Sequence, residues 1–144
     1  RIIDTDENCP TLTYNTIARH QSKIVRTRIA SNKSPWLTDT EVGDIYSVPI
    51  SHGEGRFIAS DELIHRLAEN GQIATQYVDA KGQATSDIHF NPNGSYYAIE
   101  GITSPDGRVF GKMGHSERYA ADLYKNVPGN YDIKMFRSAV KYFK

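Results

Sequence analysis

The run from Ile99 to Arg118 constrains this chain more than any other segment. Two strand-like stretches, Ile99 to Thr103 and Arg108 to Met113, flank a Pro105-Asp106-Gly107 turn and read as a β-hairpin. The hairpin ends in Gly111-Lys112-Met113-Gly114-His115-Ser116-Glu117-Arg118, with a histidine and a carboxylate two residues apart. Residues just past a strand sit on a rigid support while staying open to solvent. In extended backbone, His115 and Glu117 share a face, so the carboxylate can orient the imidazole or stabilise its charged form. An imidazole held that way needs a thiol or hydroxyl to activate. The same two residues in a surface turn would be no more than a weak ion pair.

A second cluster, Pro49-Ile50-Ser51-His52-Gly53-Glu54-Gly55-Arg56-Phe57, follows another apolar strand candidate, Ile45 to Ile50. After it come Asn91-Pro92-Asn93-Gly94-Ser95, then Asp106-Gly107-Arg108, then His115-Ser116-Glu117-Arg118, in one order with sensible gaps. This ordered set resembles the C-terminal glutaminase region of phosphoribosylformylglycinamidine synthase, a purine-pathway enzyme with a class I glutamine amidotransferase domain. The resemblance extends over nearly the whole chain, including Leu12-Thr13-Tyr14-Asn15 and Lys33-Ser34-Pro35-Trp36-Leu37.

The resemblance implies a Cys-His-Glu triad in which His115 and Glu117 are the catalytic histidine and glutamate. Ser116 stands where a proline is frequent, which keeps both functional side chains. It also implies an α/β fold, the C-terminal portion of an open, mostly parallel sheet with flanking helices and a hairpin before the His-x-Glu motif. Such sheets carry ligands at the carboxyl ends of their strands. The implied substrate is glutamine, and the implied partners are the synthetase and N-terminal domains of the parent enzyme. ATP and Mg would belong to the synthetase part, with no cofactor in this portion, and the compartment would be the cytoplasm.

The family's cysteine lies in a Gly-x-Cys-x-Gly elbow, a motif not present in this sequence. The one thiol, Cys9, fails a physical test for that role. In a nucleophile elbow the N–H after the nucleophile helps form the oxyanion hole, and Pro10 has no N–H. Proline also disfavours helical geometry at Cys9, and no glycine flanks it to relieve a strained turn. Residues 1–144 are therefore expected to be the C-terminal part of a single amidotransferase domain, entered through the loop-like Asp4 to Pro10. The N-terminal part with the catalytic cysteine would be a further partner, and these residues alone would be inactive.

Lys plus Arg and Asp plus Glu both number 17, so the formal net charge is zero. A balanced chain has no overall field drawing it to nucleic acid or an anionic membrane. No apolar run approaches the roughly 18 residues of a spanning helix, and a single cysteine makes no internal disulfide.

Lys23 to Ile29 alternates as a half-buried strand, with Val25, Thr27 and Ile29 on one face. Ser31 to Asp44 reads as a loop pinned by Trp36 and Leu37. Asp61 to Asn70 reads as a helix with Ser60 as N-cap, Asp61 and Glu62 at its positive end, Gly71 as stop, and a buried stripe of Leu63, Ile64, Leu67 and Ala68. Gln72 to Val78 follows as a strand. A final helix over about Asp132 to Phe143 repeats apolar residues at Ile133, Phe136, Val140 and Phe143.

The loop His52-Gly53-Glu54-Gly55-Arg56 has three readings. It borders the triad pocket, it meets the synthetase part, or it is a demanding turn with an internal Glu54–Arg56 pair. His52, Glu54 and Arg56 are thus possible site-border residues. The segment lacks the third glycine of a dinucleotide fingerprint. His20, His65 and His89 read as solvated or structural, and Asn91 to Ser95 as ordinary turn chemistry. Two further classes remain: a metal site from His52, Glu54, His115 and Glu117, which lacks H-x-x-x-H spacing, and a non-catalytic, amidotransferase-like interaction module. No Gly-x-Ser-x-Gly occurs, which disfavours a serine hydrolase.

Overall fold

The computed structural model describes residues 9–118, 131 and 134–143. Its strands are β1 (Thr11–Thr13), β2 (Gln21–Ile29), β3 (Ile45–His52), β4 (Arg56–Ile58), β5 (Ile73–Tyr77), β6 (Ile99–Thr103) and β7 (Phe110–Lys112), with helices α1 (Asp61–Glu69) and α2 (Met135–Phe143). The alternation along β2 buries Val25, Thr27 and Ile29 as the sequence suggests. Five strands form one sheet in the order β3-β2-β5-β6-β7, while β1 pairs with β4 apart from it.

Every strand pair among the described residues is antiparallel. That corrects the mostly parallel sheet, although the mixture of strands and helices and the hairpin before the His-x-Glu motif are present as expected. Parallel neighbours need a crossover of about a dozen residues or more, usually a helix. Here β6 returns into β7 through a short turn, and α1 links β4 of the small sheet to β5, so no helix closes a crossover between neighbours in the large sheet.

The hairpin turn forms around Pro105-Asp106-Gly107 because Gly107 adopts a φ of +75° that L side chains resist, and its N–H donates to Ser104 O at 2.9 Å. Ser34 Oγ donates to Gly107 O at 2.6 Å and Trp36 Nε1 to Arg108 O at 2.9 Å. Leu37 is fully buried beside them, so the 31–44 loop is anchored on the turn.

Helix α1 begins where Ser60 Oγ accepts from Leu63 N, which satisfies one of the orphan donors of the first turn. Leu63, Ile64 and Leu67 pack with Phe57, Ile73 and Ile99, each contributing roughly 2 kcal/mol of burial. Ala68, expected in that stripe, is exposed; it lies at the arc's margin, where its one methyl gains little by burial.

Helix α2 also departs from expectation. Phe136, Val140 and Phe143 are exposed, and the inward residues are Ser138 and Ala139. Small side chains let the helix approach the Pro35–Leu37 turn closely, where Ser138 Oγ accepts from Asp39 N at 3.0 Å and donates to Lys134 O. Asp132 and Ile133 lie outside the described residues. No described helix is long and apolar enough to cross a membrane.

Pairing between β5 and β6 shifts register twice, between Ile73 and Thr75 and again between Thr75 and Gln76. The second shift leaves Glu100 as the extra residue on β6, and bulges of this kind re-aim side chains. Glu100 accordingly turns into the protein, with 3% exposure.

Candidate active site

Beyond β7 the chain crosses from the hairpin to the far edge of the sheet. Met113 N donates to Glu100 O at 3.0 Å and His115 N to Pro49 O at 2.8 Å, so the backbone of His115 is docked on β3. Residues Ser116–Arg118 then form a single 3-10 turn, closed by Arg118 N on His115 O. This turn, and not an extended segment, brings the pair together: His115 Nδ1 lies 2.7 Å from Glu117 Oε1. The two side chains are 30% and 59% exposed, open to an incoming group.

Partial burial raises the Glu117 carboxyl, but the hydrogen bond with His115, its own backbone N–H, and the charges of His115 and Arg118 together hold it below the ordinary glutamate value. An ionised Glu117 only accepts, which places the proton on Nδ1 and leaves Nε2 as the basic nitrogen. Nε2 has no hydrogen-bond partner among the described residues.

Beneath the pair lies Glu100, whose side chain is fully buried and 3.4 Å from Lys112 Nζ. Oε1 accepts from Gly114 N at 2.6 Å, and Oε2 accepts from the Thr75 hydroxyl. Position 114 admits no side chain, because a Cβ would stand 2.7 Å from both Val48 methyls and 2.8 Å from Glu100 Oε1. Nearby Tyr77 is buried and accepts from Asn93 Nδ2 at 2.9 Å. Burial, and then the Glu100 charge, push its phenol well above the usual range.

His52 ends β3 with both ring nitrogens buried and without a partner among the described residues. Burial holds it below the ordinary histidine value, and the charges of His115 and His20 push the same way.

Against this geometry, the model of the CobB/CobQ-like glutamine amidotransferase domain matches residues 1–143. The chain belongs to that family. It is 40% identical over 105 residues to the phosphoribosylformylglycinamidine synthase subunit PurQ of Synechocystis, covering 73% of this chain and 46% of that one. The subunit of the same name from Methanocaldococcus jannaschii is 34% identical over 134 residues, covering 93% and 56%. The structure of PurLQS from Thermotoga maritima superposes with a TM-score of 0.69 at 26% identity, over 94% of this chain and 54% of that chain. The chain spans about half the length of the curated relatives it matches.

Within this family member the border loop divides. His52 turns inward, Glu54 is exposed, and Arg56 bonds not to Glu54 but to Gly94 O at 3.3 Å, with its guanidinium 5.5 Å over the Tyr96 ring. Cys9 is exposed. Among the described residues no three His, Cys, Asp or Glu side chains converge as metal ligands, so His52, Glu54, His115 and Glu117 do not form such a set.

Two groups escaped sequence reasoning. Glu100 carried only half a signal, a charge inside the run Ile99-Glu100-Gly101-Ile102: Gly101 faces Lys112 in the hairpin, so regular alternation would put Glu100 and Lys112 on opposite faces. The Asn91–Ser95 segment is no ordinary turn: Asn91, Asn93 and Ser95 are buried. Asn93 Nδ2 donates to Gly55 O at 2.7 Å, and Ser95 Oγ accepts from Phe57 N at 3.0 Å. Asn15 completes the clamp, accepting from Gly55 N at 3.2 Å and donating to His52 O at 2.9 Å.

The His52 environment sets a pH dependence. With the folded value depressed, the unfolded chain takes up a proton first, so stability is whole above the unfolded value of 6.5 and declines as pH falls toward the folded one. Melting temperatures of the intact protein between pH 7.5 and 5 should show this decline, and His52→Leu should flatten it. An identical slope in the variant would refute the assignment.

Proposed function

We propose that this chain supplies the histidine–glutamate half of a glutamine-hydrolysing site, His115 and Glu117 acting with a cysteine carried outside residues 1–144. The reading rests on one observation, the 2.7 Å Nδ1–Oε1 contact on a side chain that is 30% exposed, with no partner for Nε2 among the described residues. Membership of a glutamine amidotransferase family supports it. The relatives' names support its place as the glutaminase part of phosphoribosylformylglycinamidine synthase.

In this scheme His115 Nε2 first takes the proton of the thiol, and the resulting thiolate attacks the carboxamide carbon of glutamine, forming a C–S bond as the carbonyl π bond opens onto oxygen. His115 Nε2 gives a proton to the departing nitrogen as the C–N bond breaks, and ammonia leaves. Water then adds to the thioester while Nε2 takes its proton. The C–S bond breaks to return the thiolate and release glutamate. Glu117 keeps the ring in the correct tautomer and stabilises the imidazolium that forms in each half.

The ammonia would pass to a synthetase partner, where ATP and Mg drive amidine formation on formylglycinamide ribonucleotide, so the whole is an ATP-dependent C–N ligase. The partners of this chain are accordingly glutamine, the synthetase and the segment bearing the nucleophile. His52, at the end of the strand on which the His115 backbone docks, is assigned in this reading to the border of the site.

The test is glutamate release from glutamine by residues 1–144 alone and by the intact protein. The isolated residues should lie about a million-fold below the intact enzyme, as the loss of a triad nucleophile costs in subtilisin. Equal turnover by the two would end the proposal. No turnover by the intact protein would favour the interaction module instead.

A further inference from the structure

Glu100 and Lys112 form an ion pair whose side chains are 0% and 8% exposed. Buried pairs are poor contributors to stability, since desolvation offsets their attraction. What this pair does instead is visible in its remaining bonds. Glu100 Oε1 holds the N–H of Gly114 at 2.6 Å, while Lys112 Nζ donates to the carbonyl of the same residue at 3.3 Å and to Ser116 Oγ at 2.8 Å. His115 lies between the two residues so tied. Gly114 has no side chain with which to anchor itself, and none would fit, so backbone bonds are the means available.

We infer that Glu100, Lys112 and Ser116 act as one clamp, anchored on the buried ion pair, that fixes the backbone on both sides of His115, making them positioning residues for the imidazole. This rests on the glutaminase reading above. The clamp sets where Nε2 points without touching glutamine, so its loss should lower kcat and leave KM unchanged.

The geometry also supplies its own substitute. Position 116 opens a 3-10 turn, and no hydrogen bond of its N–H is found among the described residues, so a proline there would fix φ, restrict residue 115 and cost no bond. Proline should therefore stand in for the clamp.

The experiment uses the intact protein and the paired variant Glu100→Ala with Lys112→Met, which leaves neither charge orphaned. Glutamate release should fall about 100-fold at constant KM, the effect of roughly an ångström of misplacement. Hydrogen exchange of the 112–118 peptide should quicken about tenfold. Adding Ser116→Pro should restore both to within about threefold. Unchanged kcat and exchange in the paired variant, or losses that proline does not relieve, would overturn the inference. If the wild-type protein releases no glutamate, the glutaminase reading fails, and exchange alone decides the clamp. Should the paired variant not fold, Ser116→Ala removes only the lysine–hydroxyl bond and should still quicken exchange of that peptide about threefold; no change there counts against the clamp.

Discussion

His115→Ala in the intact protein is expected to abolish glutamine hydrolysis, lowering turnover by about a million-fold while leaving the melting temperature within about 2 °C. The rate falls because no other described side chain offers a free imidazole nitrogen beside Glu117. Stability holds because the side chain is partly exposed, and its backbone bond to Pro49 survives the change. Glu117→Gln should cost about 10⁴-fold, since an amide can donate to Nδ1 and turn the ring to the wrong tautomer. Glutamate release measured for both variants decides the matter. A surface ion pair without a catalytic role predicts no change in either.

The second large effect is structural. Asn93→Ala should destabilise the intact domain by about 3 kcal/mol, a drop of roughly 10 °C in melting temperature. Asn93 is fully buried. Its Nδ2 serves Gly55 O and the Tyr77 hydroxyl, and its Oδ1 accepts from the backbone and hydroxyl of Ser95. Truncation strands several of these groups at once, and a buried polar group without a partner bears its full desolvation cost. Asn93→Asp keeps the volume but removes both donated bonds, so it should be at least as damaging. Calorimetry that finds either variant within about 2 °C of wild type would contradict this account of the loop.

The parts of this molecule legible in the sequence are those governed by local rules. Ser60 capping, the Leu63–Ile64–Leu67 stripe, the alternation of β2 and the Gly107 turn each depend on residues within a few positions of one another. The His115–Glu117 contact was legible for the same reason, although a 3-10 turn makes it where extended backbone was expected.

What misled was of two kinds. Apolar periodicity in Phe136, Val140 and Phe143 marks a helix but not which face is covered, and here the small residues Ser138 and Ala139 meet the neighbouring turn. The parallel sheet came from likeness to a whole domain, while the described strands pair antiparallel around a short hairpin and a helix that joins two different sheets.

By itself the sequence determined the longer strands, the first helix, the hairpin and the His-x-Glu pair, because periodicity, capping and turn chemistry act over short chain distances; the family was legible only through the resemblance of its ordered motifs. Only the tertiary structure decided that Glu100 turns inward through a bulge, that Lys112 meets it beneath His115, and that Asn15 and Asn93 grip Gly55 from either side. Those contacts join residues distant in the chain or shifted in register, and their partners are chosen by the cost of leaving polar groups that folding removes from water without a hydrogen bond.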